Sequence, residues 1–191
     1  MSGAPIVARS SSAEETRGIG AALAPVLRPG DMLLLVGDLG TGKTTFTQGL
    51  AAGLGVTAPV TSPTFTLVRA YACPEPGPGP GGGEAIRTLL HADLYRLERL
   101  RDVVELGLGE LVEDDAVAVI EWGDMAGSLF GPEVLTVRLA AGSGSCGAPS
   151  ADDEGADDEG ADDERIVTLE ADGSWVERAD ALAHALGPWK R

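Results

Sequence analysis

The run Gly37-Asp38-Leu39-Gly40-Thr41-Gly42-Lys43-Thr44 matches G-x-x-x-x-G-K-[ST] at every fixed position. A polyphosphate presents negative oxygens on several sides. Backbone N–H groups reach them only where the chain curls tightly, and Gly37, Gly40 and Gly42 permit that curl. Lys43 is placed to reach the β- and γ-phosphates, and the Thr44 hydroxyl to ligate magnesium. Thr45, beside it in the same helical turn, joins the candidate phosphate contacts. At background frequencies a chain of this size matches the pattern by chance about 0.01 times. Lysine occurs only at positions 43 and 190, against twelve arginines. A chain that otherwise uses Arg has Lys where a compact point charge fits and a planar fork does not. No N-K-x-D triplet is present, so guanine has no support and adenine is the expected base.

Such a site needs an acid on the magnesium side, usually at the end of a neighbouring buried strand. Ala116-Val117-Ala118-Val119-Ile120 is an apolar run that closes on Glu121. Asp93, closing Leu89-Leu90-His91-Ala92, is a second candidate acid. It could hold a magnesium-bound water or orient the attacking water. Lys43, Asp93 and Glu121 are thus the candidate catalytic residues, with Thr44 and Glu121 the candidate metal ligands. His91 reads first as a packed histidine.

These residues require an α/β scaffold. Ser12-Ala13-Glu14-Glu15 fits a capping box, and Ile19, Leu23, Val26 and Leu27 fall on one face of the helix it would open. Pro29-Gly30-Asp31 would end that helix. Met32–Val36 is a short apolar run suited to a strand buried on both faces, as in a parallel sheet. A helix is predicted from Lys43 to about Leu54. Strands are predicted over Thr64–Tyr71, Ile86–Leu94, Ala116–Ile120, Val134–Leu139 and Ile166–Leu169, with a helix beginning near Leu97. Ser174-Trp175-Val176-Glu177 repeats the capping-box pattern before a C-terminal helix with Ala179, Leu182 and Leu186 inward. The expected fold is a P-loop NTPase with a mostly parallel central sheet flanked by helices.

The chain has 191 residues, enough for one domain with a substantial core. The reading is one P-loop ATPase domain over 1–191, with a flexible loop at 73–85 and a disordered acidic loop at 142–165. The net charge is -16, and half of it sits in residues 151–165, ADDEG-ADDEG-ADDER. That segment has nothing apolar enough to bury, and self-repulsion extends it. An acidic surface disfavours independent binding to a phosphate backbone. Cys73 and Cys146 lack metal-ligand spacing and read as free loop thiols. No apolar run approaches the ~20 residues of a membrane span, and residues 1–12 carry no signal-peptide pattern. A cytoplasmic location with no membrane contact is expected.

Three separated segments coincide with one family. They are Gly37 to Phe46, Ser62-Pro63-Thr64-Phe65-Thr66-Leu67-Val68 and His91-Ala92-Asp93-Leu94-Tyr95-Arg96-Leu97, with Glu121-Trp122 following. Together they resemble the TsaE (YjeE) family, the ATPase subunit of bacterial tRNA threonylcarbamoyladenosine biosynthesis. The resemblance covers roughly residues 10–140. It implies ATP and Mg2+ as cofactors, ATP hydrolysis, and a TsaB–TsaD heterodimer as partner, with tRNA engaged only through that complex. It assigns Lys43 and Thr44 to phosphate and magnesium, Glu121 to the magnesium side and Asp93 to catalysis. It makes Ser62, Pro63, Thr64 and Thr66 a switch or partner loop near the γ-phosphate, and places Thr16 near the base. Taken alone, Ser62-Pro63-Thr64 would be a turn entering a strand, since Pro63 biases Ser62 to extended geometry. The loop PEPGPGPGGG and the acidic repeat depart from the family pattern. A small-molecule kinase on the same loop is one competing reading, because Arg96, Arg99 and Arg101 could form a lid, and a non-catalytic nucleotide-binding adaptor is the other.

Overall fold

The computed structural model describes residues 3–74, 85–97, 99–107, 112, 115–123, 127, 129–131, 133–142 and 164–190. Seven strands among them form one sheet. They are β1 (Ile6–Ser10), β2 (Met32–Val36), β3 (Val68–Ala72), β4 (Thr88–Asp93), β5 (Ala116–Glu121), β6 (Val134–Ala141) and β7 (Arg165–Ala171). The order is β1-β7-β6-β2-β5-β4-β3. The four central strands, β6, β2, β5 and β4, run parallel, and antiparallel strands extend the sheet on both margins. The helices are α1 (Ala13–Leu23), α2 (Lys43–Gly53), α3 (Leu100–Glu105) and α4 (Ala179–Ala185).

Alternation along the strands divides the core into two layers. Leu33 and Leu35 of β2 and Val117 and Val119 of β5 face the layer of Ile19, Leu23, Phe46 and Leu50 from α1 and α2. Leu34, Ala118 and Ile120 face the opposite layer with Leu90, Ala92 and Val103. Counting on by twos carries Glu121, and on β4 His91 and Asp93, to the α2 side. The two helices on that side touch backbone to backbone. A Cβ at Gly49 would collide with the Arg17 carbonyl, and one at Gly20 with the Phe46 carbonyl. This contact fixes α2, and hence the loop that feeds it, against the sheet.

The Ser12 cap forms as expected. Its hydroxyl accepts from Glu15 N at 3.1 Å, and the Glu15 carboxylate accepts from Ser11 N at 2.7 Å. The α-helix ends at Leu23, before the expected turn, and continues as a 3-10 turn over Ala24–Val26. Pro25 has no N–H to donate back to Ala21, so the α ladder cannot continue. Strand β3 begins at Val68, later than expected. Thr66 N and Leu67 N both donate to Pro63 O, at 3.0 and 2.7 Å, and hold residues 63–67 in a turn. The helix expected near Leu97 starts at Leu100, after a turn in which Leu97 N donates to Leu94 O.

Strand β1 has no counterpart among the expected elements. Its inward residues are Ile6, Ala8 and Ser10, only one of them large, and β7 supplies the antiparallel template. The second capping box does not form. Residues Gly173–Arg178 make a 3-10 turn, and α4 begins at Ala179 without a side-chain cap. Ser174 is engaged elsewhere, its N–H on the Glu133 carboxylate at 2.9 Å. Ser174's hydrogen bonds hold the Glu133 carboxyl below its usual range. Leu182 and Leu186 are buried as expected, while Ala179 is half-buried.

The residues beside that turn fasten the C-terminus. Arg178 forks onto Asp31 at 2.6 and 2.8 Å, donates to Val26 O at 3.2 Å and lies 3.6 Å over the buried Trp175 ring. Arg178→Lys is expected to lower the unfolding free energy by about 1.5–3 kcal/mol, the scale of one hydrogen bond to a charged group. Denaturant unfolding reads this directly, and an unchanged midpoint would deny the fork a role in stability.

Cys73 is a free thiol just past the end of β3, as expected, but a buried one, its N–H on Arg87 O at 2.8 Å, and burial pushes its thiol pKa up. Residues 75–84 and 143–163, read from sequence as a flexible loop and a disordered acidic repeat, lie outside the described residues, as does Cys146. Beside the second stretch, β6 runs to Ala141, and β7 opens at Arg165 after Glu164 pairs with Arg9 at 2.9 Å. No helix among the described residues is long and apolar enough to cross a membrane.

Candidate functional site

The loop from Gly37 to Gly42 joins β2 to α2 at the C-terminal end of the parallel strands, where open α/β sheets place their ligands. Gly42 is the N-cap of α2 with φ +95°, a left-handed conformation that a side chain resists, and it offers no side-chain cap. The first N–H groups of a helix lack intrahelical partners, and the helix dipole favours an anion beside them. Gly40 is left-handed too, at φ +80°. Gly37 is constrained by space, because a Cβ there would collide with the Leu139 carbonyl.

Lys43 is folded across this loop and buried. Its Nζ donates to Gly37 O at 2.8 Å and Asp38 O at 2.7 Å, and lies 4.0 Å from the centroid of the Trp122 ring. The Thr44 hydroxyl donates to Glu121 Oε1 at 2.8 Å. Glu121 closes β5 and stands in register with Leu35 of β2 on one side and Asp93 of β4 on the other. Parallel pairing thus places both acids beside the loop on one face of the sheet.

Asp93 is 3% exposed and well supplied with donors. Tyr95 N donates to Oδ1 at 2.9 Å, and the hydroxyls of Ser62 and Thr64 each donate to Oδ2 at 2.7 Å. The segment Ser62–Thr66 is therefore tethered to this acid. Pro63 is buried beneath it, Thr66 is exposed, and Phe65 is 84% exposed with Arg96 stacked 4.3 Å over its ring. Among the described residues two that are not glycine have left-handed backbone, Leu67 at φ +62° and Trp122 at φ +59°. Each follows a segment that carries site residues, and such strain costs about 1–3 kcal/mol.

These groups surround a cavity of about 780 Å³. Of the candidate residues, Leu39, Gly40, Gly42, Lys43, Thr44, Thr45, Ser62, Thr64, Asp93 and Glu121 line it. Gly37, Asp38 and Thr41 shape the loop from behind; Thr41 Oγ1 donates to Asp38 O at 2.9 Å. Thr16 is fully buried, with its hydroxyl 2.6 Å from Ser10 Oγ and 3.0 Å from Ser12 O. Ala13 and Arg17 are the α1 residues on the wall, and Arg17 Nε donates to Gln48 Oε1 at 3.2 Å.

Sequence reasoning missed Arg17, Gln48, Tyr95, Trp122 and Arg165 as wall residues. Tyr95 and Trp122 each lie within two residues of a recognised acid, and their rings sit 4.9 Å apart; that adjacency was the available signal. Nothing local points to Arg165. Its backbone is paired with Ser10 and Ala141, and this return of the chain brings its side chain within 3.4 Å of where a Gly42 Cβ would be.

Among the described residues no group of three or more His, Cys, Asp or Glu could hold a metal ion. The pair Thr44 and Glu121 does fit magnesium at a polyphosphate. That ion is commonly held by one or two protein oxygens, with phosphate and water oxygens supplying the rest.

The family model described as threonylcarbamoyl adenosine biosynthesis protein TsaE matches residues 10–145. The tRNA threonylcarbamoyladenosine biosynthesis protein TsaE of Bacillus subtilis is 37% identical over 131 residues, 69% of this chain and 75% of that protein. The protein of the same name from Treponema pallidum is 38% identical over 130 residues, 68% of this chain and 87% of the relative. The crystal structure of Bacillus subtilis YdiB superposes with a TM-score of 0.66 at 29% identity, covering 100% of this chain and 99% of that one. The matched stretch contains the loop, both acids and the tethered hydroxyl segment, with Arg165 of the wall lying beyond it, and the chain belongs to the TsaE family of threonylcarbamoyl adenosine biosynthesis proteins.

Proposed function

We propose that this chain binds ATP with magnesium at the Gly37–Thr44 loop and hydrolyses it in support of tRNA threonylcarbamoyladenosine formation by a TsaB–TsaD pair. The observation that carries this reading is the convergence of Lys43, Thr44, Glu121, Asp93 and two Asp93-bound hydroxyls on one cavity. Lys43 supplies the cation for the β- and γ-phosphates. Thr44 and Glu121 would hold magnesium, which when bound neutralises charge on the phosphate oxygens. Asp93 orients the water, and Ser62 and Thr64 register the γ-phosphate from the same carboxylate. Loss of that phosphate would then be felt by the exposed Phe65, an order–disorder switch of a kind other nucleotide hydrolases use.

The arginines that suggested a kinase lid are not at the site: Arg96 stacks on Phe65, and neither Arg99 nor Arg101 is on the cavity wall, where the arginines are Arg17 and Arg165. Hydrolysis without an acceptor of its own makes physical sense if it resets a partner. The acidic composition also fits a tRNA contact made by the partner rather than by this chain. The test titrates the purified chain with TsaB–TsaD, following ATP hydrolysis and tRNA modification over many turnovers. Hydrolysis should be poor alone and rise in the complex, and modification should depend on this chain. An equal modification yield with and without it would end the partner reading.

A further inference from the structure

His91 sits on β4 with no exposed surface, yet it is polar on both sides of its ring. Its Nε2 is 2.8 Å from Glu121 Oε1. That same oxygen accepts the Thr44 hydroxyl at 2.8 Å. Among the described residues Nδ1 has no hydrogen-bond partner. Period-two alternation puts His91 on the same face as Asp93, and the parallel register sets Asp93 opposite Glu121, so His91 reaches Glu121 along the diagonal.

Packing alone does not account for this residue. A leucine would fill the space without stranding a buried nitrogen, whose desolvation is unfavourable. The hydrogen bond His91 makes among the described residues goes to a carboxylate that is itself 3% exposed. An ionised carboxylate only accepts, so Nε2 carries a proton in this contact. We propose that His91 is the positioning residue for Glu121. Its Nε2–H pins Oε1 beside the Thr44 hydroxyl and keeps the carboxylate in the rotamer in which it and Thr44 jointly take a divalent cation. This inference rests on the magnesium–nucleotide reading above and deepens it. Without His91, the hydrogen bond left to Glu121 among the described residues is that from Thr44, on a side chain with three rotatable bonds, and that bond must rearrange when the cation enters. Partners that orient a metal ligand in this way commonly contribute 10–100-fold to affinity or activity.

The test compares the full-length chain with His91→Leu and His91→Gln. Mn2+ is titrated into the ADP complex by electron paramagnetic resonance, and ADP affinity is measured separately in EDTA. His91→Leu is expected to lose about 10–100-fold in Mn2+ affinity while keeping its metal-free ADP affinity. In His91→Gln the amide nitrogen reaches about as far from the backbone as Nε2, and this variant should recover most of the loss. An unchanged Mn2+ affinity in His91→Leu, or a Gln variant as weak as the Leu variant, would overturn the proposal. Should His91→Leu not fold, the 15N-resolved imidazole spectrum of the wild type decides. The Nε2-protonated tautomer is expected, and the Nδ1-protonated one would overturn it. A wild type that binds no Mn2+ with ADP would bring down the magnesium reading itself, a result distinct from a wild type and a Leu variant that bind it equally.

Discussion

Lys43→Ala is expected to abolish productive ATP binding and to lower kcat/KM for hydrolysis by at least about 10³-fold, equivalent to about 4 kcal/mol. The loop's backbone N–H groups and the α2 dipole remain in this variant, but they carry only partial charge. They cannot offset the β- and γ-phosphates once the ammonium is gone. The Lys43 side chain is buried, held by two loop carbonyls and the Trp122 ring. It is therefore already at the loop when nucleotide arrives, and binding exchanges carbonyl contacts for phosphate contacts without recruiting a charge from solvent. Arginine should not substitute. The guanidinium is larger and planar, and the pocket formed by Gly37 O, Asp38 O and Trp122 accommodates a compact donor. The fold should survive in Lys43→Ala, because Thr41 Oγ1 still donates to Asp38 O and the α1–α2 contact lies elsewhere. Nucleotide titration, hydrolysis rate and melting temperature together check this. A Lys43→Ala protein that hydrolyses ATP at the normal rate would place the site somewhere else.

What could be read from the sequence was what is encoded locally. The loop and α2 are contiguous, and the glycines that shape the loop are part of its own pattern. β2 and β5 are continuous apolar runs because both faces of a parallel core strand are buried. An acid that ends such a run falls at the ligand end of the sheet, so Glu121 and Asp93 could be named before their register was known. What depends on distant pairing was not legible. Arg165 reaches the cavity only because β7 returns antiparallel between β1 and β6. β1 exists only because β7 offers it a partner. Residues 64–67 have strand-forming side chains, but the hydroxyls of Ser62 and Thr64 find the Asp93 carboxylate, and the Pro63 turn forms instead. Ser174 fits a helix cap by type and spacing, but Glu133 engages its N–H and the turn above it winds as 3-10. In each case a tertiary hydrogen bond outcompeted a local preference.

Asp93→Ala is expected to slow hydrolysis by about 10²–10⁴-fold, the scale of a lost catalytic acid or base. ATP binding should survive better than in Lys43→Ala, because the carboxylate opposes the phosphate charge in the ground state and Lys43 remains. The substitution removes two things at once, a negative charge on the wall and the acceptor that tethers Ser62 and Thr64. Asp93→Asn separates them. The amide keeps an oxygen for Tyr95 N, and its NH₂ group can donate to the hydroxyls that formerly donated to Oδ2. The segment should stay docked while the charge is lost. If the charge acts on the water, Asn will be about as slow as Ala, and proteolytic cleavage within residues 61–67 will be no faster than in the wild type. If tethering is what matters, Asn will be close to the wild type, and the double variant Ser62→Ala, Thr64→Ala will be as slow as Asp93→Ala. Single-turnover hydrolysis distinguishes the two, since product release does not enter it. The charge-based outcome is the one expected. Hydroxyl–carboxylate bonds can be remade with solvent, whereas a carboxylate on the wall of the cavity that Lys43, Thr44 and Glu121 also line cannot be replaced by a neutral group. Near-normal single turnover in all three variants would move the chemistry away from β4 altogether.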